Sequence, residues 1–329
     1  MPVTKKTNLN DICAPIEADL KLFTDELKKE LASGDGLIQS MHDHILKMSG
    51  KFLRPILSVL SSKLEGRSPK EAIRLGVAVE LIHTATLVHD DIIDGSEWRR
   101  NQPSVHAKWG RELSIVSGDY LYAKAFMILA GFQDPRVSQA FASCAHIMCE
   151  GEMKQIEKRK DFDLSEEEYL KIIHKKTAAL FQASCAGGAF FSSGNLALAE
   201  AMGRYGYALG MAFQIVDDCL DLVGDHEAMG KKAGLDLAKS DMTLPLLHVL
   251  SRLSAAQKEQ LKQSFQNDPP EEVFKAVKAL SSEYCAVERS MDRARAYADE
   301  AWAALKQVPA SRYRDSLSAL VDHCLERSR

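Results

Sequence analysis

Leu81-Ile-His-Thr-Ala-Thr-Leu-Val-His-Asp-Asp-Ile-Ile-Asp-Gly-Ser-Glu-Trp-Arg-Arg100 sets three carboxylates, Asp90, Asp91 and Asp94, into an otherwise apolar run and follows them with two arginines. Upstream, Ile73, Val77, Leu81 and Val88 recur at helical spacing, so the run predicts a helix that Gly95 stops. In Asp-Asp-x-x-Asp the first and last residues share a helix face one turn apart, with the middle one about 100° round. Carboxylates that close raise one another's pKa unless cations neutralise them. A lone acidic triplet on a helix is most often a solvated face.

The same spacing returns in Gly210-Met-Ala-Phe-Gln-Ile-Val-Asp-Asp-Cys-Leu-Asp-Leu-Val-Gly224, at Asp217, Asp218 and Asp221, again among apolar residues. Two copies embedded in Leu/Val/Ile text point to a shared chemical purpose. Oxygen-only ligands favour a hard ion, and Mg²⁺ usually takes one or two carboxylates and completes its shell with water and substrate phosphate. Two such clusters on facing helices would grip a diphosphate from both sides through metal ions.

The rest of the chain is consistent with an all-α protein. Its 329 residues, 46% hydrophobic, can bury a large core in one or two domains, and a net charge of -4 leaves no polybasic footprint for nucleic acid. Seven cysteines contain no Cys-x-x-Cys pair, and Cys144 with Cys149 matches no zinc or disulfide spacing, so reduced thiols are expected. The start, Met1-Pro-Val-Thr-Lys-Lys-Thr, lacks a signal-peptide core, and no run approaches ~18 uninterrupted apolar residues. A soluble, cytoplasmic protein without a transmembrane segment is the expectation.

Apolar residues recur at three and four throughout, and no run alternates with period two. Ile16, Leu20, Leu22 and Phe23 mark one amphipathic stretch and Leu37, Met41, Ile45 and Leu46 the next, divided at Gly34-Asp-Gly36. Lys51 and Arg54 stand three apart, about one helical turn, so both could face one way; two solvated surface charges is the plainer alternative. Ser68 with Glu71 and Ser165 with Glu168 form capping boxes. Long helices are expected over Leu113–Phe132, Val137–Glu157 and Tyr169–Phe181, and the small residues from Ala183 to Gly194 would equally suit close helix packing or a flexible join. With no Pro/Gly/Ser-rich linker, residues 1–329 read as one domain, with 1–48 as N-terminal helices packed on it.

Competing motifs fail. Gly224 and Gly230-Lys-Lys232 have the wrong spacing for a P-loop and a lysine where Ser or Thr should follow. Glu80-x-x-His83 is half a di-iron bundle signature, and no other histidine has a glutamate three before it.

The chain resembles the trans-isoprenyl diphosphate synthases, the polyprenyl synthetase family, most closely their long-chain members. The matching pieces run from Gly50-Lys-Phe-Leu-Arg-Pro55 through Glu80-Leu-Ile-His83, His89-Asp-Asp-Ile-Ile-Asp94 with Arg99-Arg100, Lys176-Thr177, Phe213-Gln214 with Asp217 to Asp221, and Gly230-Lys231 to Asp236-Leu237 before Thr243-Leu-Pro245. The resemblance implies an isoprenoid-synthase bundle around a central cavity and repeated 1'-4 condensation of isopentenyl diphosphate onto dimethylallyl, geranyl or farnesyl diphosphate. It implies three Mg²⁺ held by Asp90, Asp94 and Asp217 with Asp91, Asp218 and Asp221 in support. Lys176, Lys231, Thr177, Gln214 and Arg99 would contact the allylic diphosphate, and Lys51, Arg54, His83 and Arg100 the isopentenyl one. A homodimer is a further implication. As residue types alone, the lysines and arginines would more often be surface charges, His83 a satisfied core histidine and Gln214 a backbone ligand.

Two positions depart from that pattern. Phe52 stands where a basic residue is usual, and Asp241 where a lysine touching the allylic diphosphate is expected. Lys239 or Lys232 would then substitute. Ala85 and Thr86, small and one turn or more before Asp90, predict a tunnel that stays open for a long product, with Phe126, Met127 or Phe141 as its lower stop. Short-chain farnesyl or geranylgeranyl synthesis and a noncatalytic subunit of a heteromeric synthase are the alternatives. A terpene cyclase would carry Asn/Ser/Glu ligands at the second motif.

Overall fold

The structure, a computed structural model, describes residues 8–65, 70–223 and 234–327. The Ser68 capping box and the expected ligands Lys231 and Lys232 lie outside the described residues. Four helices form the interior: α4 (Leu53–Ser62), α5 (Lys70–Ile93), α10 (Ala179–Ser193) and α11 (Leu196–Val223). Their sequences are apolar nearly all round, which is the mark of a helix covered on every side. From Pro55 to Ser62 every residue of α4 is buried, as is every residue of α5 from Ala72 to Ile82 except Arg74. The chain before them forms α1 (Leu9–Cys13), a 3-10 turn, α2 (Glu17–Leu31) and α3 (Gly36–Lys47).

The outer helices fill in around the interior four. A short α6 (Val105–Trp109) leads into α7 (Arg111–Ala130), which lies along α5, and α8 (Pro135–Glu157) follows. The remaining chain runs through α9 (Glu166–Ile173) before α10, then α12 (Leu235–Ala238), α13 (Leu244–Leu250), α14 (Ala255–Asn267), α15 (Pro270–Glu283), α16 (Ala286–Leu305) and α17 (Arg312–Glu326). Packing of α11 between α10 and α16 completes the core. By length and composition α5 and α7 could each cross a membrane; here they pack on one another, α5 mostly buried and α7 with one face exposed.

Glycines let the interior helices touch. A Cβ on Gly188 of α10 would stand 2.2 Å from the Ser58 carbonyl oxygen of α4, and one on Gly206 of α11 2.6 Å from that of Phe181. The small residues after Ala183 are therefore packing surface. On α2 the buried stripe is Asp19, Phe23, Leu27 and Leu31, spaced by four. Leu22 falls about 100° off that stripe and is exposed, as is Leu37 in the first turn of α3.

Other local expectations are revised by backbone conformation. Phe52 adopts a left-handed φ of 52° ahead of α4, so Lys51 lies outside the helix and the one-turn relation to Arg54 does not hold. The expected Tyr169–Phe181 helix is interrupted by a π turn, His174–Ala178. A two-residue antiparallel ladder, β1 (Trp98–Arg99) with β2 (Gln102–Pro103), is too short to show a period of two. Arg100 and Asn101 at its tip have φ of 49° and 61°, the signature of a type I′ hairpin.

Gly188→Ala should destabilise the protein by roughly 1–3 kcal/mol, because backbone blocks the added methyl and the helices must part. Denaturant unfolding against the wild type measures it.

Candidate active site

Both aspartate motifs come to the C-terminal ends of buried helices. Asp90 and Asp91 occupy the last turn of α5, Asp94 follows it, and Asp218 and Asp221 close α11. A helix C-terminus carries partial negative charge, so both clusters sit where carboxylates are least welcome. A solvent-open cavity of about 110 Å³ joins the two ends: Asp94, Asp218, Lys176, Thr177, Gln214, Lys239, Asp236 and Asp241 all line it.

Five of the six motif carboxylates are met by a hydrogen-bond or ion-pair partner. Lys239 Nζ donates to Asp94 Oδ2 at 2.8 Å and Arg159 Nη2 to Asp94 Oδ1 at 2.9 Å. Asp91, buried, takes a forked contact from Arg99 at 2.7 to 3.0 Å. Exposed Asp217 pairs with Arg327 at 3.0 Å. Asp221 accepts the backbone N–H groups of Leu235 and Asp236. Around Asp218 a chain forms in which Thr177 donates to Gln214, Gln214 donates to Asp218 at 2.7 Å, and Tyr169 donates at 2.6 Å.

The pKa shifts follow from this crowding. Burial raises Asp90, against the pull of Lys176 and with a push from Glu152 and Asp94. Burial also raises Asp218, opposed by the Tyr169 and Gln214 hydrogen bonds. Asp236 is driven well up by burial and by Asp221, Asp218 and Asp241. Asp94 goes the other way: despite burial, Lys239 and Arg159 hold its carboxyl below the usual range. Lys176 stays charged in spite of burial because Asp90 and Glu152 flank it.

A π turn presents Lys176 and Thr177, and such turns recur at functional sites because they redirect side chains within a helix. Gly151 of α8 lets it approach, since a Cβ there would meet the Lys176 backbone nitrogen at 2.6 Å.

A second pocket is lined by Glu80, His83, Asp91, Arg99 and Arg100. Arg100 Nη1 donates to the Met48 carbonyl at 2.7 Å, and its guanidinium lies against Gly50, where an added Cβ would push the arginine aside. Arg54 lies over the Phe181 ring at 4.7 Å with its Nε shielded and unpartnered. Burial lowers Arg54 to about 10 while Glu80 opposes the shift. His83 is held neutral by burial and by Arg54, Arg100 and Arg99. Glu80 is pushed up to about 7 by burial, against Arg54 and Arg100.

Of the expected allylic-diphosphate set, Lys176, Thr177 and Gln214 share the first cavity, and Arg99 lines the second pocket instead, turned there by Asp91. Of the isopentenyl set, His83 and Arg100 line the second pocket, whereas Lys51 is exposed outside α4. Lys239 lines the first cavity. Ala85 is fully buried, and Thr86 donates to the His83 carbonyl. Phe126 stacks on Tyr122 at 6.4 Å, and Phe141 is buried. Met127 is 71% exposed. Its place on the outer face of α7 corrects the expectation that it closes a tunnel within this chain.

Sequence patterns alone missed Arg159, Tyr169, Glu152, Asp236 and Arg327. Each lies outside the doubled motif, and only the fold brings it to the carboxylates. Phe52, the other departure, packs edge-on against Phe23 at 5.2 Å.

Among the described residues no three His, Cys, Asp or Glu groups converge into a protein-only metal cage. The donor set suits a different arrangement: oxygen ligands from two helix ends, one or two per ion, leaving coordination positions for water and phosphate. Magnesium fits that description.

A bundle of buried helices whose two acidic ends face one cavity is the all-α isoprenoid-synthase fold. The chain belongs to the polyprenyl synthetase family, whose sequence pattern matches residues 35–280. Over 321 residues, 98% of each chain, it is 31% identical to octaprenyl diphosphate synthase of Haemophilus influenzae. Over 87% of this chain and 89% of the relative it is 37% identical to a short chain isoprenyl diphosphate synthase of Methanothermobacter thermautotrophicus. Polyprenyl synthase from Caulobacter crescentus, in complex with calcium and isoprenyl diphosphate, superposes with a TM-score of 0.92 at 34% identity over 99% of both chains.

Glu80 gives a pH test. Burial pushes its carboxyl up to about 7 in the folded protein, against 4.5 for an ordinary glutamate, so between those values the folded state binds the extra proton and stability falls as pH rises. Across that window this group removes roughly 3 kcal/mol. Glu80→Gln should therefore gain stability relative to wild type as pH rises from 4.5 to 7, and hold that difference above it. Denaturant melts over the pH range measure it; a difference independent of pH would contradict the assignment.

Proposed function

We propose that the protein condenses isopentenyl diphosphate with an allylic diphosphate, dimethylallyl, geranyl or farnesyl, in repeated head-to-tail 1'-4 additions that build a long trans-polyprenyl diphosphate. One observation carries the reading: Asp94 and Asp218, from two separate motifs, line a single cavity together with Lys176, Thr177, Gln214 and Lys239. Long-chain synthases among the relatives, matched end to end, support it.

In this reading Asp90, Asp94 and Asp217 hold Mg²⁺, three ions when substrate is bound, with Asp91, Asp218 and Asp221 in support. Magnesium supplies positive charge to the leaving diphosphate. Lys176, Thr177, Gln214 and Lys239 bind that diphosphate and stabilise it as the C–O bond breaks. His83 and Arg100 hold isopentenyl diphosphate in the second pocket, with Arg54 behind them and Arg99, paired to Asp91, lining the same pocket. His83, neutral, donates a hydrogen bond without adding charge. The double bond of isopentenyl diphosphate attacks the allylic cation, and departing pyrophosphate takes the proton, so no protein base is required. Calcium and isoprenyl diphosphate in the Caulobacter relative favour a divalent-metal site.

Residues 1–329 then form one cytoplasmic synthase unit, with the described part of the N-terminal segment, 8–48, packed on its bundle. Exposed Leu113, Ile115, Val116 and Met127 on α7, and Met153 and Ile156 on α8, favour a homodimer. A short product is the second reading, favoured by the 37% identical short-chain relative.

Purified protein given Mg²⁺, isopentenyl diphosphate and allylic primers of increasing length should yield chains longer than geranylgeranyl diphosphate by chromatography. Accumulation of farnesyl or geranylgeranyl diphosphate would select the second reading, and no product at all would remove both. Ala85→Phe should shorten the product; an unchanged distribution would refute a tunnel passing Ala85. Asp94→Ala should lower kcat on the order of a hundredfold or more, as losing one stabilising contact to a developing anion does.

A further inference from the structure

The carboxylate at Asp241 stands in the cavity wall where a substrate anion would meet it, only 4% exposed. An unpaired charge that deep is costly, and Arg159 answers it. Arg159 Nε donates to Asp241 Oδ1 at 2.8 Å while Nη2 of the same guanidinium donates to Asp94 Oδ1 at 2.9 Å. The two loops that carry this pair are stitched by backbone, the Lys160 N–H donating to the Ser240 carbonyl at 3.1 Å. Both residues at that stitch have left-handed φ, 61° and 60°. The Arg159 to Asp241 contact is therefore built by the main chain on either side of it.

Asp94 is the shared element. One oxygen takes Arg159 and the other takes Lys239, so two cations and two carboxylates balance in a closed set. A divalent ion that binds Asp94 competes with both cations for the same two oxygens. Lys239 has no second carboxylate within that set and is freed whole. Arg159 loses only its Nη2 contact and keeps the Asp241 hinge. A guanidinium has five donors in a fixed fork, of which the hinge uses one, so the rest become available to an anion in the cavity.

We infer that Arg159, hinged on buried Asp241, is a diphosphate-binding cation of this site that rests on Asp94 until a divalent metal claims that carboxylate. The inference rests on the proposed prenyl diphosphate synthesis. It turns the carboxylate at position 241 from a source of repulsion into a positioning residue. It also gives the site a substrate contact from the loop after α8, alongside Lys176 and Lys239.

Calorimetry with Mg²⁺ alone, and with inorganic pyrophosphate at saturating Mg²⁺, separates this role from a structural ion pair. In Arg159→Ala one competitor for Asp94 is gone, so Mg²⁺ alone should bind several-fold tighter. Pyrophosphate should bind about tenfold weaker, as loss of a charge-assisted hydrogen bond implies. The KM for the allylic diphosphate should rise in step while that for isopentenyl diphosphate holds. Asp241→Asn, with the hinge weakened and Arg159 left on Asp94, should weaken both ligands. Arg159→Gln gives the same signs as Arg159→Ala and serves if the alanine variant fails to fold in a thermal melt. Unchanged pyrophosphate affinity in Arg159→Ala, or Mg²⁺ affinity that is unchanged or falls with it, overturns the inference. A wild type that forms no prenyl product would sink the proposed function while the binding signs still report on Arg159; product formation without those signs would sink the inference alone.

Discussion

Negative charge at two helix C-termini is the constraint on which this molecule depends. Asp90, Asp91 and Asp94 end α5, and Asp217, Asp218 and Asp221 end α11. Burial opposes ionisation at Asp90, Asp218 and Asp221, and the negative ends of both helices add to the crowding of charge. The surrounding structure supplies what those groups lack: Arg99 on Asp91, Arg159 and Lys239 on Asp94, Arg327 on Asp217, and neutral donors from Tyr169 and Gln214 on Asp218. Every one of these partners is reached through tertiary folding or the following loop, apart from Gln214, which lies one turn before Asp218 on the same helix.

Holding those helix ends in register requires close packing, and glycine provides it. Gly188 against α4 and Gly206 against α10 leave no room for a methyl group, so the interior helices meet backbone to backbone. Gly151 does the same for the π turn that carries Lys176 and Thr177. A helix with normal hydrogen bonding through residues 174–178 would rotate the following side chains by part of a turn. The local distortion is thus tied to the aim of the cavity's lysine.

The two cavities differ in electrostatic regime. In one lie clustered carboxylates with cations resting on them; in the other lie Arg100, neutral His83 and a raised Glu80, with Arg54 close by. A cavity poor in cations relative to carboxylates suits an anion delivered with metal, and a pocket with spare arginine donors suits an anion that arrives without one. That asymmetry is what two chemically different diphosphates would need.

The amino-acid sequence determined the all-α class, the helix from Ile73 to Asp90, the capping box at Ser165 and the two aspartate clusters, because helical period, caps and motif spacing are local properties. Local text also misled where backbone conformation broke the period, at Phe52 and at the π turn, and where one face of a helix had to be chosen, as for Leu22 and Met127. Arg159 and Asp241 are 82 residues apart, and Tyr169 and Asp218 are 49 apart; no spacing rule joins them. Their pairing was decided by tertiary structure alone, since a buried carboxylate must find its partner wherever the fold brings a donor within reach.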